Sequence, residues 1–235
     1  MKYFYKTIIF ATCFLLILGC ATIAKSEYSY ILPNDITVKN EITINEDFDV
    51  IWDRLVKRLA SSYFVINNIE KSSRIINLSF SSDTPELYVD CGNSHRTFCR
   101  NADEEDYNYN VASSSKYKMA SQFGFNGNAQ HIYYIDRQTH LNGRANIYIA
   151  PTEHGTIVSV NCRFVLEIKV NGLVTQENVF GGINASQSIN SETSTIIANT
   201  NSPGYADWGN NGVQSKLKCI SLGIIESEIL NFAKP

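Results

Sequence analysis

Residues 91–99, CGNSHRTFC, place two thiols and an imidazole at C-x3-H-x3-C spacing. As a metal site this stretch would use Cys91, His95 and Cys99, with Asp90 as a fourth ligand. The spacing is not that of the short C-x2-4-C knuckles of structural zinc. In an oxidising compartment the two thiols instead close a small loop, so a Cys91–Cys99 disulfide is expected and no metal site is assigned. Other chemistry is thinner. No G-x-S-x-G or H-E-x-x-H occurs, and His95, His131, His140 and His154 lie in separate segments. Neither a G-x-G-x-x-G nor a Walker sequence is present, and Gly181-Gly182 reads as a turn. The acids of Asp103–Asp106 lack the central glycine of an EF-hand loop and read as a solvated surface. Tyr107 to Asn110, "YNYN", reads equally as an aromatic patch for a partner and as packing under a loop. No catalytic residue and no cofactor is expected.

The most specific chemistry sits at the start. Lys2 and Lys6 precede a 13-residue run, Thr7 to Gly19, that is apolar and ends in a small residue. A cationic segment, a short apolar core and a small residue are the parts of an export signal. The run is too short to span a bilayer, which takes roughly 20 apolar residues. Ile17-Leu18-Gly19-Cys20 resembles the lipobox of bacterial lipoproteins. The resemblance implies that the Cys20 thiol receives a diacylglyceryl group, that the chain is cut before it, and that the new amine is acylated. Two or more acyl chains hold a protein stably at a membrane without spanning it. Residues 1–19 are therefore expected to be a signal peptide and Cys20 the lipidated first residue. Ala21 stands where an aspartate would retain such lipoproteins at the inner membrane of a Gram-negative cell. The expected address is the outer membrane, on its periplasmic face.

Bulk numbers narrow the rest. Removing residues 1–19 leaves 216 of 235 residues and takes the formal charge from −3 to −5, because Lys2 and Lys6 leave and no acid does. An acidic chain with no basic run is a poor fit to nucleic acid. Thirteen tyrosines supply enough large side chains for a folded core. With Cys13 gone and Cys20 carrying lipid, Cys91, Cys99, Cys162 and Cys219 remain. Four cysteines in an exported chain read as two disulfides, with three connectivities open.

Residues 20–34 read as a polar tether. Ile36, Val38, Ile42 and Ile44 alternate with polar residues, which predicts a strand. Phe48, Ile51, Trp52, Leu55 and Leu59 recur at helical spacing, with Arg54, Lys57 and Arg58 off that stripe. Two strands follow, "YFVINNIEK" and "SRIINLSFSS", around a polar turn. Residues 83–137 lack a sustained period and read as a surface insertion carrying at most a short helix. Ala145, Ile147 and Ile149 then alternate up to a turn bracketed by Pro151 and Gly155. From Val158 to Val170 seven apolar residues share one face of a long strand. Residues 171–212, rich in Asn, Ser, Thr and Gly, read as loop or lid, with an exposed hairpin as the alternative. Leu222, Ile225, Ile229 and Phe232 close the chain at helical spacing behind a Ser221 cap.

The stretch "FDVIWDRLVKRLASSYFVINNIEKSSRIINLSF", residues 48–80, resembles the opening of helix-grip domains in bacterial envelope lipoproteins of the BamC type. The resemblance implies an α+β fold. A curved antiparallel sheet would pack against a helix in the N-terminal half and a C-terminal helix, in one domain over residues 35–235. The insertions, at about 83–137 and 171–212, are departures from that pattern. Because the grip would seat the C-terminal helix on the long strand, it also implies a Cys162–Cys219 disulfide. For function it implies a non-enzymatic scaffold or modulator of an outer-membrane assembly, with the membrane and an envelope protein as partners. The alternative is a periplasmic carrier holding a lipid or other apolar ligand in a groove lined by Phe80, Phe164 and Leu166.

Overall fold

The computed structural model describes residues 23–101, 103–121, 130–178, 182–191, 193–210 and 213–235; Cys20 and residues 1–19, the expected signal peptide, lie outside them. The chain enters as β1 (Ala24–Ile31), β2 (Glu41–Ile44) and helix α1 (Phe48–Ala60). An antiparallel pair follows, β3 (Val65–Glu70) and β4 (Ile75–Ser82). A 3-10 turn at Pro85–Leu87 leads to β5 (Val89–Asp90), β6 (Asn93–Arg100), β7 (Asp103–Asn110) and β8 (Ser115–Ala120). The two longest strands come next, β9 (Gln130–Thr152) and β10 (Gly155–Glu177), 23 residues each. The chain ends with β11 (Ile183–Asn190), β12 (Ser194–Asn199), β13 (Gly204–Asn210), β14 (Val213–Ser221) and helix α2 (Ile224–Ala233).

The β9–β10 hairpin is the spine, paired without interruption from Thr152–Gly155 to Gln130–Glu177. Its contour is about 75 Å at 3.3 Å per residue. Gly155 makes the turn possible: its φ is +126°, and a Cβ there would strike the Ile44 carbonyl. Shorter strands flank the spine in series. Along β9 lie β4 and then β8; along β10 lie β2, β12 and β11.

Near the turn, odd residues of β9 (Leu141, Ala145, Ile147, Ile149) and even residues of β10 (Val158 to Ile168) are buried. Ile51, Trp52, Leu55 and Leu59 of α1 and Ile225, Ile229 and Leu230 of α2 join the same core. Arg54 and Arg58, one turn apart on α1, tie the helices together. Arg58 donates to the carbonyls of Asn231, Phe232 and Lys234, and Arg54 to that of Ala233. Carbonyls at a helix C-terminus lack intrahelical donors, so these contacts cap α2.

At the far end of the spine the buried positions switch to even residues, Gln130 and Ile132. There a second sheet, β1–β6–β7, covers it, with a small apolar cluster of Ala24, Phe98, Ala120 and Ile132. A third sheet, β13–β14–β5, lies beside α2.

The fold is largely β, 63% strand and 14% helix, with two α-helices among the described residues. This corrects the expected α+β class, in which a helix-packed sheet dominates and carries two insertions. The stretch at about 83–137 builds β5 to β8 and the start of β9, and that at 171–212 builds the end of β10 and β11 to β13. The residues expected to form a tether at 20–34 include β1, which pairs with β6 along its whole length. For β1, β6 and β7 the reason is shared. Apart from Ala24 and Phe98 their inward positions are Ser26, Tyr28, Tyr30, Ser94, Arg96, Tyr107 and Tyr109, so an aliphatic alternation is missing although the period of two is kept.

Candidate functional site

The cysteines come first because the expected pairing depends on them. Cys91 is bonded to Cys219, 128 residues away, while Cys99 and Cys162 are free thiols. Both expected disulfides, Cys91–Cys99 and Cys162–Cys219, are thereby corrected. Between Asn93 and Cys99 the chain is extended strand, about 20 Å long, which no disulfide bridges. Cys162 instead neighbours Thr200, whose Oγ1 accepts from its backbone N–H at 2.7 Å, and Glu226. Burial pushes the Cys162 thiol up, and the Glu226 carboxyl adds to the effect. Glu226 is itself fully buried and accepts from Thr200 Oγ1 at 2.6 Å and Ser221 Oγ at 3.1 Å.

The C-x3-H-x3-C stretch does not converge. His95 faces Asp106 at 3.4 Å on the outer side of β6, and Cys99 stands across the ladder from Glu104. Asp90 accepts from the Gly92 N–H at 2.8 Å. Among the described residues no group of three His, Cys, Asp or Glu side chains is placed to hold a metal. His140 pairs with Asp83 at 2.6 Å, but the nearby Ser114 hydroxyl is bonded to Thr139 at 3.2 Å. His131 packs on Tyr133, and His154 occupies the hairpin turn.

Phe80, Phe164 and Leu166, the expected walls of an apolar groove, belong to the packed core. The Phe80 ring meets Phe164 edge-on at 6.0 Å and Phe64 at 5.9 Å. A Cβ on Gly143 would enter the Phe80 ring, so the contact with the spine is close. Open clefts lie on the outer surface. One of about 780 Å³, on the solvent face of the sheet, touches Phe80 and Val165 but is lined mainly by polar residues such as Ser79, Asn142, Arg144 and Arg163. Another, of about 630 Å³, lies beside Arg54, Arg58, Tyr63 and Glu228 where the helices meet.

Sequence reasoning missed a buried cationic cluster between β1–β6–β7 and the spine. Arg96 and Arg137 are 3% and 2% exposed. The Arg96 guanidinium lies between the rings of Tyr28 and Tyr117, at 4.3 and 4.6 Å, and its Nε donates to Tyr109 Oη at 3.0 Å. Arg137 donates to the carbonyls of Ser113, at 2.6 Å, and Val111. Tyr109 and Tyr117 stack at 5.6 Å. Burial pushes the Arg137 guanidinium below its ordinary value, and the Tyr109 and Tyr117 phenols partly offset that. The legible signal was Arg96 two residues from Ser94 and Phe98 on one strand face, which reads as solvent-facing until β1 and β8 are placed.

The N-terminal entry is the other feature with functional geometry. Ala24 is 2% exposed, and Gln130 grips it twice. Gln130 Oε1 accepts from the Ala24 N–H at 3.0 Å, and its Nε2 donates to the Ala24 carbonyl at 2.5 Å. Beside this clamp Arg100 pairs with the buried Glu177. No helix among the described residues is long and apolar enough to cross a membrane. No family model, no curated protein and no solved structure matches the chain.

Proposed function

We propose that the protein is a non-enzymatic lipoprotein of the bacterial outer membrane that scaffolds an envelope assembly from the periplasmic face. One observation supports the reading above the others. Ala24 is locked into β1 only four residues after Cys20. Four extended residues reach at most about 14 Å. A lipid on Cys20 would therefore hold the body directly against the bilayer rather than on a leash. The far end of the spine would face lipid, with the helices and the hairpin turn directed into the periplasm. A rigid body held in register with a membrane suits a protein that positions a partner. The packed state of Phe80, Phe164 and Leu166 favours this reading over an apolar-ligand carrier.

Fractionation tests it. The unaltered chain is expected to sediment with outer membranes and to need detergent for release. Its N-terminal peptide should begin at Cys20 and carry acyl groups by mass spectrometry. Cys20→Ser should release the folded protein into the soluble fraction. A native chain that is soluble, or that begins beyond Cys20, would defeat the reading.

A further inference from the structure

Burying a guanidinium without a carboxylate is costly, because both its charge and its N–H groups leave water. Here two are buried side by side. Neither Arg96 nor Arg137 forms an ion pair among the described residues. Arg137 donates one N–H from each terminal nitrogen, to the Ser113 and Val111 carbonyls, which leaves three of its five N–H groups over. Arg96 uses only Nε, toward Tyr109, which leaves its terminal N–H groups with no acceptor among the described residues. Tyrosine faces ease the cost through cation–π contact but carry no net charge. Burial pushes the Tyr117 phenol up, so this ring stays neutral and supplies no anion of its own.

A cavity of about 10 Å³ lies at this cluster, lined in part by Tyr28, Ser94, Arg96, Tyr109 and Arg137. Across the ladder from Arg137, next to the cavity but not lining it, stands Ser115, whose buried Oγ has no hydrogen-bond partner among the described residues. We propose that this cavity is a binding site for one small monovalent anion of the halide class, held between Arg96 and Arg137. The size argues for that class. The volume is about that of a single water-sized sphere, so a halide ion, somewhat larger, enters only as the side chains give way, and a phosphate or a carboxylate ligand would need a much larger opening. A water would fill the space but leave both charges uncompensated. A halide needs only a small outward shift of the side chains and accepts from several N–H and O–H donors at once. Since Arg96 belongs to β6 and Arg137 to β9, a bound anion would clamp the β1–β6–β7 sheet to the spine.

The test uses the full chain in non-ionic detergent. Crystals soaked in sodium bromide are expected to show an anomalous bromine peak between Arg96 and Arg137. Bromide or chloride at about tenfold its Kd should raise the thermal midpoint by roughly 3–5 °C over sodium gluconate of equal ionic strength. Arg96→Met should abolish that halide dependence. A cavity holding only water, a bromine peak only elsewhere, or equal midpoints in the two salts would overturn the proposal. The soak keeps the question decidable even if Arg96→Met fails to fold.

Discussion

Cys91 and Cys219 hold together segments that lie 128 residues apart, joining the chain just after β5 to β14. A cross-link closing so long a loop is worth about 4–5 kcal/mol in the chain-entropy picture. Cys91→Ala is accordingly expected to lower the thermal midpoint by about 10 °C or more in a chain of this size. The pairing has a direct chemical check. Alkylating the unreduced native chain should modify Cys99 and spare Cys162, which should react only after unfolding. Burial and the neighbouring Glu104 both raise the Cys99 thiol, so less thiolate is present at a given pH. Its alkylation rate should therefore climb at higher pH than that of a free cysteine. Peptide mapping that found Cys162 joined to Cys219 would restore the expected bridge. Cysteine count alone could not choose among three connectivities, because the choice rests on Cys99 standing at the far end of an extended strand.

Elements with an aliphatic face were legible in the chain itself. Ile51, Leu55 and Leu59 announce α1, and Val158 to Ile168 announce one face of β10, because burial there is achieved with aliphatic side chains. The same logic hides β1, β6 and β7. Apart from Ala24 and Phe98, their inward residues are mostly Ser, Tyr and Arg, which become buried only because the facing strands supply hydrogen bonds and aromatic rings. β11 is hidden for another reason: nearly all of it is exposed, so the β10 ladder alone defines it. The Arg96–Arg137 cluster was invisible for the first of these reasons, being assembled from polar and aromatic residues on β1, β6, β7, β8 and β9. α1 offers a test at this scale. Leu55 is fully buried in the core shared with α2, and Leu55→Ala should cost about 2–5 kcal/mol by urea denaturation. A cost under about 0.5 kcal/mol, the range of surface substitutions, would mean that the helices are not seated on the spine.

At the scale of the whole molecule, one hairpin connects two differently built ends. At its turn, helices lie over an aliphatic core; at its open end, a second sheet lies over arginines, tyrosines and the Gln130–Ala24 clamp. The described chain begins at the open end, with Ala24 in the clamp, so under the proposed lipidation of Cys20 this is the end that would meet a membrane. The most direct measurement places a fluorescent label at position 25 or at position 154 of the lipidated protein. The protein is reconstituted in phosphatidylethanolamine–phosphatidylglycerol vesicles that carry a headgroup quencher. The predicted result is strong quenching at position 25, beside the clamp, and little at position 154, in the hairpin turn. Equal quenching at the two positions, or none at either, would contradict a body held by Cys20 against the bilayer.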